Sequence, residues 1–193
     1  MLTCQKKIER SEDHIYTVDG KILPSVTKIL AIADPYKYVN KILLEKAAKF
    51  GVAVHRMIEL FNRNRLNMDS LNVALVPYLE AWKKFIDETG FQIIESEVMV
   101  SSNWGYAGTL DCVGYLHNRL VLLDIKTTAT VLKLTALQLA AYQKAFEETF
   151  EKTIEQRISI QLKPCDYGLT SYANKNDFLI FMNFLNIYRW LQS

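Results

Sequence analysis

Between Val26 and Thr89 the apolar residues of this chain recur at helical spacing, and just after Gly90 the period changes to that of strands. A short hairpin precedes the helices, over residues 14–23, turning at Asp19-Gly20. Pro24-Ser25 opens a helix from Val26 to Ala31, with Ser25 as its N-cap. Asp34-Pro35 starts a further helical stretch. From about Tyr38 to Asn64 the pattern is amphipathic, with Gly51 a candidate break. Residues 66–72 read as loop. A second long helix is predicted over 73–89, with Pro77 near its start and Gly90 just past its end.

Phe91 to Val100 then reads as a strand, followed by a loop at Ser101-Ser102-Asn103. Two strands at about 105–116 and 119–126 flank a polar turn at His117-Asn118. A linker over 127–131 leads to a helix over 132–150, and 154–162 reads as a strand stopped by Pro164. A final helix is expected over about 175–191. Strands framed by helices imply an α/β or α+β fold with a central mixed sheet flanked by helices. The hairpin edge is antiparallel, and the strand after the long helix returns parallel through a crossover. One domain over 1–193 is expected: a mainly helical part at 1–90, a core sheet and helix at 91–163, and a C-terminal helix at 174–192.

The 193 residues are 50% hydrophobic and 11% aromatic, which excludes a disordered chain. Net charge is only +2, so total charge does not announce a nucleic-acid binder. Its distribution is uneven: residues 26–65 carry eight Lys/Arg against Asp34, Glu45 and Glu59. That basic stretch either tracks a phosphate backbone or is a solvated helix face. Cys4, Cys112 and Cys165 are odd in number and widely spaced. They form no disulfide framework and supply no iron–sulfur cluster, so a reducing cytoplasm is expected. No apolar signal core and no run of 18 apolar residues stands in the sequence, so no membrane span is expected.

The chemistry concentrates in the hairpin. Folded about its turn, facing residues have numbers summing to 235, which sets Asp111 opposite Asp124 and Thr109 opposite Lys126. Facing carboxylates this close repel each other. A divalent cation with oxygen ligands, Mg²⁺ or Mn²⁺, removes that conflict. Lys126 shares a strand face with Asp124 and adds a fixed ammonium. Two acids and a lysine around a metal are a kit for cleaving phosphodiesters. The plainer reading is a solvated edge hairpin, but these charges end a strongly apolar strand.

The pattern resembles the PD-(D/E)XK nuclease superfamily, in its RecB-like and phage-exonuclease-like branch. Its motif corresponds here to Asp111 and to Asp124-Ile125-Lys126, although Leu110 stands where a proline is often written. Gln138 and Tyr142 match the branch's Gln-x-x-x-Tyr helix, and His55 matches its early metal-binding histidine. The likeness spans about residues 24–163. It implies a restriction-endonuclease-like core with a helical N-terminal extension, and a metal-dependent DNA nuclease, more often an exonuclease than a site- or structure-specific endonuclease. Mg²⁺ or Mn²⁺ would be held by Asp111, Asp124, the Ile125 carbonyl and His55, with Lys126 at the attacking water. Cleavage would leave a 5′-phosphate, in DNA recombination, repair or phage DNA processing. A nucleic-acid-binding module that has lost activity is the other outcome.

Several residues keep two readings. Glu97 is either a further acid near the metal or a strand surface residue. Glu59 either orients His55 or is solvated. Thr109 and Thr127 flank the motif as supporting or DNA-contacting groups. Trp104 and Tyr106 either stack on bases or pack in the protein.

Overall fold

The computed structural model describes residues 2, 6–13, 15–33, 36–128 and 133–193. The expected helix start at Asp34-Pro35, most of the 127–131 linker, Cys4, His14 and the first residue of the 132–150 helix lie outside them. The fold is mixed α+β. A five-stranded sheet in the order β4-β5-β6-β7-β8 (Gln92–Ser102, Tyr106–Leu116, Arg119–Lys126, Gln156–Lys163, Asp166–Tyr172) lies between two helical layers. All pairs are antiparallel except β6–β7, which α4 (Leu134–Phe150) joins by a parallel crossover.

One face of the sheet packs on α1 (Val26–Leu30), α4 and α5 (Asp177–Gln192) around Leu122, Leu139, Phe146 and Phe181. The other face packs on α2 (Lys41–Asn62) and α3 (Val76–Thr89) around Leu123, Ile160, Trp82 and Phe85. β6 therefore buries side chains on both faces. This is why it reads as an unbroken apolar run until Asp124.

Local signals explain the boundaries. The Ser25 hydroxyl accepts the Lys28 N–H at 3.1 Å, and Asn40 caps α2 by accepting the Ile42 N–H at 2.9 Å. Gly90 ends α3 at φ +67°, in the left-handed region that glycine adopts freely. His117 and Asn118, at φ +48° and +63°, give the β5–β6 hairpin its tight turn.

Gly51 does not break α2. The helix runs through it, and a Cβ there would come within 3.4 Å of Thr127 Oγ1, so glycine brings α2 close to the end of β6. The 14–23 hairpin gains a third strand: β1 (Ile8–Arg10) joins β2 (Tyr16–Val18) and β3 (Lys21–Leu23). The expected loop at Ser101-Ser102 is instead the end of β4. The core sheet extends past residue 163 to β8, whose mostly exposed edge lacks the apolar alternation that marks a strand.

Candidate metal centre

β5 and β6 keep the 235 register from Leu116↔Arg119 to Cys112↔Leu123. At Asp111 the pairing gives way to a side-chain contact: Asp111 Oδ2 accepts the Ile125 N–H at 2.6 Å. The β4–β5 ladder is interrupted at the same level. Ser96 pairs with Cys112 and Val98 with Leu110, leaving Glu97 and Asp111 between them.

The interruption reverses side-chain direction on both strands. Ser96 accepts a hydrogen bond from Asn62 of α2, whereas Val98 belongs to the α4-side core. Cys112 packs on the α2–α3 side and Leu110 on the α4 side. Residues two apart normally share a face. Glu97 supplies the kink at φ +54°, a left-handed conformation that is costly for a residue with a Cβ.

Three potential ligands meet at this fork. One donor atom from each of His55, Glu97 and Asp111 lies within 4.8 Å of the others. His55 Nδ1 is 3.3 Å from Asp111 Oδ1. Bonds of about 2.0–2.2 Å to a shared Mg²⁺ or Mn²⁺ would draw that set closer together. The two carboxylates are the oxygen donors Mg²⁺ and Mn²⁺ accept, while the imidazole suits the softer first-row ions and so favours Mn²⁺ over Mg²⁺.

Asp124 and Lys126 stand alongside, on the same face of β6. Lys126 Nζ donates to Asp124 Oδ1 at 2.9 Å and to Gln138 Oε1 of α4 at 3.3 Å. Asp124 is almost fully buried. Its Oδ2, although 2.9 Å from the ammonium, receives no hydrogen bond. The Lys126 ammonium thus balances the buried Asp124 charge as an ion pair.

The protonation balance reports a surplus of negative charge. Burial, with Asp111 nearby, pushes the Asp124 carboxyl up to about 6 despite Lys126. Burial and the Asp111 charge raise Glu97. Burial opposes charge on His55, but Asp111 outweighs it and raises the imidazole to about 9. Asp111 is held below the ordinary carboxylate range: His55, Lys126 and the Ile125 N–H overcome its burial. Burial likewise opposes charge on Lys126, and Asp124 with Asp111 raises it regardless. At neutral pH the proton held by His55 thus supplies positive charge where a divalent cation would sit.

The remaining expected residues divide. Gln138 and Tyr142 hydrogen bond to each other, and burial pushes the Tyr142 phenol up. The Tyr142 ring closes over Gly108, where a Cβ would approach Cε1 to 2.5 Å. Thr109 Oγ1 contacts Tyr16 Oη at 2.8 Å and the Arg10 guanidinium at 3.2 Å, tying β5 to the N-terminal sheet. Thr127 lies beside Gly51. Ile125 reaches Asp111 through its N–H. Glu59 does not orient His55; it pairs with Arg56 at 2.5 Å and Arg63 at 2.8 Å. Tyr106 is core, donating to the Ala141 carbonyl and packing on Phe181, while Trp104 is half exposed.

Arg10 was not foreseen. From β1 it lies 3.7 Å from Glu97. Nothing in the sequence marks it, because its strand is three residues long and 87 positions from its partner.

No family model matches the chain, and no curated protein matches it. Among solved structures, one described as "Crystal structure of SSO0001" is similar over 61% of this chain and 59% of that chain, at 15% identity and a TM-score of 0.39. The chain thus spans under two thirds of that protein's length, and the likeness is too slight to carry an argument. Among the described residues no helix is long and apolar enough to cross a membrane.

Proposed function

We propose that this chain is a metal-dependent nuclease of the PD-(D/E)XK kind, hydrolysing phosphodiester bonds of DNA as an exonuclease. The observation that carries the reading is the convergence of Asp111, Asp124 and Lys126 with His55 and Glu97 at one strand fork. A hairpin of solvated charges would not bury Asp124 or kink β4 at Glu97.

His55 Nδ1, Glu97 and Asp111 would hold Mg²⁺ or Mn²⁺, with the Asp124 carboxylate, paired to Lys126, beside them. Such an ion lowers the pKa of a bound water and polarises a phosphate oxygen. Asp124 and Gln138 fix the Lys126 ammonium between them. From there Lys126 holds the attacking water or neutralises charge gathering on the phosphate. Arg10, exposed on one side, supplies a second cation to a phosphate oxygen. Gln138 and Tyr142 brace the lysine from α4.

End-labelled linear DNA, single- and double-stranded, incubated with Mn²⁺ tests the reading against a covalently closed circle. Linear DNA should be degraded and the circle spared. Lys126→Ala should lose roughly 10²–10³-fold in single-turnover rate while binding the metal. Full activity in Lys126→Ala, or no cleavage of any DNA by the wild type, would overturn it. Nicking of the circle would replace exonuclease by endonuclease.

A further inference from the structure

The two edges of the central sheet are built differently. β4, at one edge, carries the devices that keep a sheet margin from pairing further. Its register shifts between Ile93 and Glu95, Glu97 kinks it at φ +54°, and Arg10 of β1 lies 3.7 Å from that glutamate. β8, at the other edge, carries none of them. Its register with β7 runs unbroken from Arg157↔Tyr172 to Lys163↔Asp166. The strand reads Asp-Tyr-Gly-Leu-Thr-Ser-Tyr, with no proline, lysine or arginine. Among the described residues it pairs with β7 alone, and Asp166, Leu169, Thr170 and Ser171 are exposed. Its outward backbone N–H and C=O groups thus form a pairing template about 24 Å long.

β8 is complementary to itself. A two-fold axis through a sheet edge sets two copies of one strand antiparallel. Centred on Leu169, the middle residue, it overlaps the whole strand and sets Asp166 opposite Tyr172, Tyr167 opposite Ser171 and Gly168 opposite Thr170. The strand's one carboxylate therefore meets a neutral side chain rather than its own copy, and it already pairs with Lys84 at 2.8 Å. At the axis Leu169 meets Leu169. This side chain is 42% exposed and lies on the α2–α3 side, since its neighbour on β7, Ile160, belongs to the core there. The pairing thus covers an apolar group that a single chain leaves in water. We infer that two copies of this chain join through β8, making one continuous sheet of their two five-stranded ones. A strand spacing of about 4.8 Å then sets the two metal centres roughly 30 Å apart, on opposite sides of the seam. Each copy would act by itself, so the pairing does not depend on the nuclease reading.

The test is sedimentation equilibrium of the full chain over a range of concentrations. One strand pair is a small interface, so the mass should rise from 22.3 kDa toward twice that value, with half-dimerisation on the order of 10–100 μM. Leu169→Lys sets two ammonium groups face to face at the axis and should stay at 22.3 kDa throughout. It should melt within a few degrees of the wild type, because the position is exposed. Cross-linking checks the register. In a background of Cys4→Ser and Cys165→Ser, Leu169→Cys should give a disulfide-linked dimer under mild oxidation, whereas Thr170→Cys, set opposite a glycine, should not. A wild type that is monomeric at about 200 μM would overturn the inference and leave β8 to an extended segment of a different protein. Dimerisation of a folded Leu169→Lys variant as strong as the wild type's, or equal cross-linking from both cysteine variants, would overturn it in favour of another face. Should Leu169→Lys fail to fold, the cross-linking pattern decides alone.

Discussion

Asp111 Oδ2 accepts the Ile125 N–H at 2.6 Å, across the point where β5 and β6 stop pairing through their backbones. This one bond locks the first acid of the site to the strand carrying the second acid and the lysine. It leaves Oδ1 free to face His55. The register of the hairpin therefore positions the chemistry, and a one-residue slip would send Asp124 and Lys126 to the opposite face.

The kink at Glu97 sets function against stability. Replacing it by glycine removes the penalty of a left-handed side-chain-bearing residue and a partly buried carboxylate whose charge burial disfavours. Glu97→Gly should melt at the same temperature or higher, by up to about 1 kcal/mol of stability, yet bind Mn²⁺ more weakly. A variant with markedly lower Tm and unchanged Mn²⁺ affinity would mean that Glu97 is structural.

Gly108 is where β5 admits the Tyr142 ring. A methyl group there meets Cε1 at 2.5 Å, and the ring is buried among packed neighbours. Gly108→Ala should cost about 1–3 kcal/mol in urea unfolding and displace the Gln138–Tyr142 pair. Stability unchanged by the substitution would show that the ring yields freely.

The metal-free protein should lose stability as pH rises. Asp124 titrates at about 6 in the folded state, above its ordinary 3.8. The unfolded chain gives up that proton first, so the contribution is present at pH 3.8 and lost through pH 6. His55, raised from 6.5 to about 9, behaves alike over the higher window. With Mn²⁺ present the slope should reverse, because the ligands bind metal only when deprotonated. Tm against pH from 5 to about 9, with and without Mn²⁺, checks both signs. Parallel curves would contradict the linkage.

Much of this architecture is legible in the sequence, for physical reasons. Long helices and the hairpin announce themselves through periodicity and through turn residues such as Gly90 and His117-Asn118. Asp124-Ile125-Lys126 stands out because charges follow a buried run. What stays hidden depends on contacts between distant segments. The left-handed φ of Glu97 has no signature, since glutamate rarely adopts it. Arg10 belongs to a strand too short to show a period. Gly51 reads as a helix breaker because its neighbour, Thr127, lies 76 positions away. Glu59 looked available to His55 until Arg56 and Arg63, on its own helix, claimed it.

The most direct measurement is calorimetric titration of Mn²⁺ into the metal-free protein at neutral pH, wild type beside Asp111→Asn. The account predicts saturable binding by the wild type, accompanied by a rise in Tm. It predicts affinity at least about tenfold weaker in Asp111→Asn, with the variant still folded. A wild type that takes up no metal, or an Asp111→Asn variant that binds it equally well, would contradict the account.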